Sequence, residues 1–362
     1  MDLPAPLAWL VDEAGASPGP DRFLAELGSR LLADGLPLAG GALTLAVPHP
    51  IIARRTWLWR VETGAVIEAL GFAVGGPLGQ AGRDWLVGLG PVQEDTIGPP
   101  ERPVREGPVP DGPVLGWAGT RPFAPAEAGR LRQAARFVAA PLAALAARAA
   151  LAALLEAYLG RRSAARVQAG ALRRGTGETI RAALLYADLR DFTARSEATA
   201  PAAMIAALDA WFDRVAGAVQ AFGGEVLKFI GDGVLAIFPV TGTPAEACEA
   251  ALRAVVAARA GMAHLDAARQ AQGLPPLPFG AALHLGEMLW GNVGAADRLD
   301  FTAIGPAVNL VSRLEGLCRP LGRSVLISGA VAAETTTVLR PLGEHVLRGI
   351  AAPCSVFTLP DA

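Results

Sequence analysis

Residues 184–193, LLYADLRDFT, and 225–238, EVLKFIGDGVLAIF, decide how this chain is read. In the first, a fully apolar run over Ala182–Ala187 stops at Asp188, and a short apolar run bounded by polar residues reads as a buried strand. The second holds two short strands, Gly224–Phe229 and Val234–Phe238, joined by Ile230, Gly231, Asp232 and Gly233, whose turn residues mark a hairpin. Between the two stretches Met204, Leu208, Trp211, Phe212, Val215, Val219 and Phe222 recur at helical spacing. Helix, strand, helix and strand then continue to the C-terminus. This order predicts an α+β fold, a ferredoxin-like βαββαβ palm.

The 362 residues are too many for one ordinary domain and suit two. Upstream of the palm, Phe23, Leu24, Leu27, Leu31 and Leu32 are spaced as on a helix, and Leu43–Val47, Trp57–Val61 and Trp85–Leu89 read as β-like runs. Gly98 to Pro113 is dense in Pro and Gly and reads as loop, as does the glycine-rich stretch 71–82, which fits neither a Walker loop nor a dinucleotide fingerprint. From Glu127 to Gly160 helix formers dominate around Pro141, with Leu131, Val138, Leu142 and Leu145 at helical spacing. The expected organisation is a smaller α/β module over 1–145, a connector helix and linker over 146–178, and the palm over 179–362.

Charge and composition exclude several classes of function. With 32 basic and 34 acidic residues the chain has no global field for nucleic acid or anionic lipid. Cys248, Cys318 and Cys354 lack the spacing of a disulfide framework or a zinc site, which fits a cytoplasmic location. The N-terminus lacks the basic region of a signal peptide. Pro141, Arg148 and Glu156 interrupt the Phe137–Gly160 stretch, so no membrane span of ~20 apolar residues is expected there. His49, His264, His284 and His345 are scattered and read as packing or surface residues.

The chemistry lies in a few side chains. Asp188 and Asp232 stand at the ends of apolar strands, and if those strands are neighbours the two carboxylates meet at one sheet edge. Such a pair suits Mg²⁺, which accepts one or two protein carboxylates and completes its shell with water and phosphate. Taken singly, Asp188 could cap the following helix and Asp232 is an ordinary turn residue. Lys228 is the only lysine in the chain. A lone lysine among arginines points to a position that needs a compact ammonium on a flexible stem, although an edge-strand charge is the plainer alternative. Asn309 and Arg313 differ by four residues and share a helix face. An amide and a guanidinium there can orient a sugar oxygen and offset phosphate charge, or can simply be solvated.

Taken together, LLYADLRDFT, EVLKFIGDGVLAIF, FGAALHLGEMLWGNVG (279–294), RLDFTAIGPAVNLVSRLE (298–315) and VLRGI (346–350) resemble class III adenylate and guanylate cyclases in order and spacing. The resemblance spans roughly residues 180–360. It implies that Asp188 and Asp232 bind two metal ions, Mg²⁺ or Mn²⁺, and that Lys228 and Thr302 recognise the base. Asn309 falls where the family orients the ribose, Arg313 where it stabilises the α-phosphate, and Arg348 where it grips the terminal phosphates. The backbone at Phe192 and Thr193 matches the triphosphate-binding turn, where free N–H groups at a helix start favour anions. Two departures stand out. Asp191 occupies a position where the family usually has Gly, and Thr302 one where animal adenylate cyclases carry Asp.

The Lys/Thr pair is similar to that of a bacterial subgroup often linked to bicarbonate response. It favours adenine, whose N1 accepts from an ammonium and whose N6 donates to a hydroxyl, whereas guanine's protonated N1 would oppose Lys228. A polar group left unpaired in such a pocket costs about 1–3 kcal/mol. The implied function is an adenylate cyclase that makes cyclic AMP and pyrophosphate from ATP as a homodimer. The alternatives are a guanylate cyclase, or a nucleotide-binding regulator that kept the fold without turnover. Residues 114–146, a strand, a loop and a long helix, resemble the end of a GAF-type sensor domain. That implies regulation by the N-terminal module, with a small-molecule effector as its partner.

Overall fold

The computed structural model describes residues 3–46, 52–71, 79–97, 113–171, 173–295 and 297–361. The chain forms two compact units, Met1–Tyr158 and Leu159–Ala362. Residues 146–158 of the expected connector thus continue the first unit, and 159–178 open the second.

The first unit begins with helices α1 (Ala5–Asp12) and α2 (Pro20–Ala33). Strands β1 (Leu38–Ala46), β2 (Arg54–Arg60) and β3 (Val66–Gly71), helix α3 (Gln80–Val87), strands β4 (Val92–Thr96) and β5 (Val114–Gly119), and helix α4 (Pro125–Leu159) follow. The sheet is antiparallel, in the order β3-β2-β1-β5-β4. Its two faces follow from strand alternation. Leu43 and Leu45 pack with Trp57, Trp59 and Trp117 against Phe23, Leu24 and Leu27 of α2 and Leu131, Val138, Leu142 and Leu145 of α4. Ala42 faces the other way, onto Leu86 of α3. Trp57 and Trp59 are therefore core residues of this unit.

Three expectations for this unit need correction or delimiting. Trp85–Leu89, read as β-like, begins inside helix α3, because a short apolar run does not by itself distinguish a strand from a helix that buries one face. Pro141 does not interrupt α4, which runs through it with Pro141 buried. Against the expectation drawn from Pro141, Arg148 and Glu156, α4 is long and apolar enough to cross a membrane by length and composition. The Leu131–Leu145 face of α4 is buried in the unit's own core, while only 28% of the helix's most apolar window is buried. Val47, His49 and most of the loops expected at 71–82 and 98–113 lie outside the described residues.

The second unit opens with α5 (Arg161–Gln168) and the long strand β6 (Gly177–Leu189). Helices α6 (Phe192–Ala198) and α7 (Pro201–Ala221), strands β7 (Glu225–Ile230) and β8 (Gly233–Pro239), helix α8 (Pro244–Ala271) and strand β9 (Phe279–Gly294) complete the palm. Then come β10 (Leu299–Ile304), α9 (Pro306–Glu315), β11 (Val325–Ser328), α10 (Gly329–Ala332), β12 (Arg340–His345) and β13 (Cys354–Thr358). The sheet runs β12-β13-β11-β9-β6-β8-β7, with β10 paired to β9. Within it β9-β6-β8-β7 places the fourth, first, third and second palm strands side by side, the split βαβ arrangement expected from the sequence.

Helices cover both sheet faces, which explains why the 182–187 run is apolar throughout. Ala183, Leu185 and Ala187 pack with Trp211, Val215 and Val219 of α7 and Leu252 and Val255 of α8. Ala182 and Leu184 pack on the opposite face with Val311 and Leu314 of α9. Each fully buried Leu or Val of this kind contributes about 1.5–3 kcal/mol relative to exposure. The sheet is thereby held as a rigid platform, and Asp188 lies one residue beyond its best-packed stretch.

Candidate active site

The hairpin register fixes where the two aspartates sit. Ala187 pairs with Val234 across β6 and β8, and Ile230 pairs with Gly233 across β7 and β8. Asp188 and the two-residue turn Gly231–Asp232 therefore share one edge of the sheet. Gly231 takes a positive φ of 63°, which the first position of such a turn favours and a side chain would disfavour. The buried indole of Trp211 donates from Nε1 to the Asp232 carbonyl at 2.8 Å and ties the turn to α7.

The electrostatics of this edge are those of an anionic site. Oδ1 of Asp188 is buried and has no hydrogen-bond partner. Burial, then the adjoining Asp232 carboxylate, then Glu315 push the Asp188 carboxyl well above the usual carboxylate range. Burial and the charges of Asp188, Glu315 and Asp232 likewise raise the Tyr186 hydroxyl to about 12. Two carboxylates so close oppose each other's ionisation, and a divalent cation between them would remove that opposition. Among the described residues no cluster of three or more His, Cys, Asp or Glu could hold a metal. The Asp188 and Asp232 pair instead fits an ion such as Mg²⁺ that takes most of its oxygens from water and phosphate.

A second pair of elements meets at β7 and β10. The Lys228 ammonium on β7 forms an ion pair with the Asp300 carboxylate on β10. Asp300 and Thr302 alternate along β10, so their side chains project to the same side. The two positions expected to read the base are thus brought to one locality.

The remaining candidates make no side-chain hydrogen bond or ion pair with either aspartate among the described residues. Asn309 and Arg313 are exposed on α9, one turn apart. Neither they nor the exposed Arg348, in the turn between β12 and β13, make a side-chain hydrogen bond or ion pair among the described residues. Phe192 and Thr193 open α6 directly after Asp191, whose backbone is left-handed at φ 55° and ψ 31°. Asp191 pairs with Arg319 at 3.1 Å.

Residues 177–349 match the family of the adenylate and guanylate cyclase catalytic domain. The second unit belongs to that family. Adenylate cyclase 1 of Rhizobium meliloti is 34% identical to this chain over 175 residues, covering 48% of this chain and 26% of that protein. The adenylate cyclase of Anabaena cylindrica is 33% identical over 161 residues, covering 43% and 31%. The chain thus spans less than a third of the length of either relative. Among solved structures, a bacterial light-regulated adenylyl cyclase is similar with a TM-score of 0.50 and 25% identity, covering 58% of this chain and 60% of that one.

The structure of the cyclase domain adds residues that sequence reasoning passed over. Arg190 and Glu315 form a buried ion pair, Nη1 to Oε1 at 3.2 Å, joining the strand of Asp188 to the helix of Arg313. A Cβ on Gly280 would overlap both groups, so only glycine leaves room for the pair on β9. The signal in the sequence was spacing. Arg190 stands two residues after Asp188, Glu315 two after Arg313, and Asp300 two before Thr302.

Proposed function

We propose that the cyclase domain converts ATP to 3′,5′-cyclic AMP and pyrophosphate at a site completed by a second copy of the chain. The observation that carries the reading is the convergence of Asp188 and Asp232, with a buried and unpartnered Asp188 Oδ1. These two side chains would hold Mg²⁺ or Mn²⁺, two ions per site in the full reading. Bound there, the cations supply Lewis-acid chemistry that favours ionisation of the ribose 3′-hydroxyl and neutralises the triphosphate.

The protein's own groups divide the remaining work. Lys228 donates to N1 of adenine, and Thr302 accepts from N6. Asn309 orients the ribose so that the 3′-oxygen starts within reach of the α-phosphorus. Arg313 offsets charge developing on the α-phosphoryl oxygens, and Arg348 with the backbone at Phe192 and Thr193 receives the outer phosphates. The Asn309 and Arg313 side chains have no hydrogen-bond or ion-pair partner among the described residues, which supports their serving the aspartates of a second copy. A two-fold homodimer closes two such sites at once. The N-terminal unit, GAF-like in this reading, then regulates how the halves meet in response to a small-molecule effector.

The test is an assay of the purified chain with ATP and with GTP, in Mg²⁺ and in Mn²⁺, with the product identified by mass. Cyclic AMP as the main product is expected. Cyclic GMP as the main product would assign a guanylate cyclase, and nucleotide binding without turnover would assign a regulator.

A further inference from the structure

We propose that Asp300 is a positioning residue for base recognition, holding the Lys228 ammonium where Thr302 presents its hydroxyl. The inference rests on the reading of this domain as a nucleotide cyclase and assigns a role that the reading leaves empty.

Lys228 is the sole lysine of the chain and sits on the edge strand β7. Its side chain is 38% exposed, so packing alone does not fix its four-carbon stem. The Asp300 carboxylate reaches it from β10, a strand that is not a hydrogen-bonded neighbour of β7. Because Asp300 and Thr302 project to the same side of β10, the carboxylate that anchors the ammonium also sets its distance from the hydroxyl. An ammonium has three donors, and one spent on Asp300 leaves two for a purine ring nitrogen. Restricting the stem before substrate arrives lowers the ordering cost of binding.

The pair also bears on which base is accepted. An unengaged carboxylate at the pocket edge would accept hydrogen bonds from N1 and the 2-amino group of guanine. Engaged with Lys228, its charge is neutralised and the pocket presents a donor and a hydroxyl, the complement of adenine. Asp300 therefore acts through Lys228 to favour ATP, without touching the reacting atoms.

The experiment compares wild type, Lys228→Ala, Asp300→Asn and Asp300→Glu with ATP and GTP, at low and high salt. Asp300→Asn is expected to raise KM for ATP by about two- to fivefold, the range for a half-exposed ion pair, with kcat little changed. The ATP-to-GTP ratio of kcat/KM should fall, and Asp300→Glu, which keeps the charge, should restore part of both. The wild-type KM should rise with salt more steeply than that of Asp300→Asn, since screening weakens only the intact pair. An Asp300→Asn enzyme with wild-type KM and nucleotide ratio, alongside a Lys228→Ala enzyme with raised KM, overturns the role of Asp300 alone. Absence of cyclic nucleotide from the wild type overturns the underlying reading as well.

Discussion

Arg190 and Glu315 form an ion pair beneath the two aspartates, with Glu315 only 8% exposed and Arg190 20%. Burial first, and Asp232 as well, raise the Glu315 carboxyl on balance against the lowering pull of the Arg190 guanidinium, and neither Arg190 Nη2 nor Glu315 Oε1 has a hydrogen-bond partner among the described residues. Removing one member of such a pair leaves the other charge buried and uncompensated, at a cost of about 3–5 kcal/mol. We expect Glu315→Ala to lose stability near the lower end of that range, because Arg190 keeps some access to water. Urea denaturation checks it. A loss under about 1 kcal/mol, as for an exposed pair, would show that the guanidinium finds water instead.

Much of this arrangement was legible before the structure. The uniformly apolar 182–187 run required both sheet faces to be covered, and α7, α8 and α9 cover them. The hairpin at Gly231–Asp232 was legible because turn chemistry is local. Helix α3 was misread because its periodicity is too short to outvote two adjacent large apolar residues. Arg190, Glu315 and Asp300 stood in quoted motifs, yet their roles depend on partners 125 and 72 residues away, as with Lys228 and Asp300. The two-residue offsets from Asp188, Arg313 and Thr302 flag these residues, but their partners are set by strand register and helix docking, which no local pattern encodes.

Asp191 is the one non-glycine residue with positive φ among the described residues. Left-handed backbone costs an ordinary side chain roughly 1–2 kcal/mol, and Asp somewhat less. Its pair with Arg319 is exposed on both sides and adds little. We expect Asp191→Gly to change stability by no more than about 1 kcal/mol, since relief of strain opposes the extra freedom of the unfolded chain. Asp191→Val should be less stable than Asp191→Gly by roughly 1–2 kcal/mol, because a β-branched residue fits this region worst. Thermal melts compare them, and equal stability of the two variants would mean that the turn does not hold its left-handed backbone.

Burial lowers His284 to about 4 from an ordinary value of 6.5, with Nδ1 2.9 Å from Ser328 Oγ. The unfolded chain therefore binds a proton between pH 6.5 and 4 that the folded chain refuses. The neutral imidazole contributes its full stability above pH 6.5, and that stability is lost as pH falls toward 4, by about 3 kcal/mol in all. Carboxylates titrate in the lower part of this window, so the quantity to follow is the difference between wild type and His284→Asn. We expect the two stability curves to converge as pH drops from 6.5 to 4. Parallel curves would place the imidazole in contact with water.

The free faces of Asn309 and Arg313 lead to the sharpest expectation about assembly. Asp188→Ala removes a metal-binding carboxylate from one half of a shared site, and Asn309→Ala removes the ribose contact from the other half. Each homodimer then has two broken sites. In a mixed dimer both lesions fall on the same site and the other is intact, so equal mixing should restore roughly a quarter of the wild-type rate, as two-fold symmetry requires. Asp188→Ala mixed with Asp232→Ala must restore nothing, because each site of that dimer still lacks one carboxylate. Subunit exchange is verified with differently tagged chains before rates are compared. No recovery in the first mixture despite exchange would mean that each chain supplies its own complete site, and recovery in the second would mean that the two carboxylates of a site come from different chains.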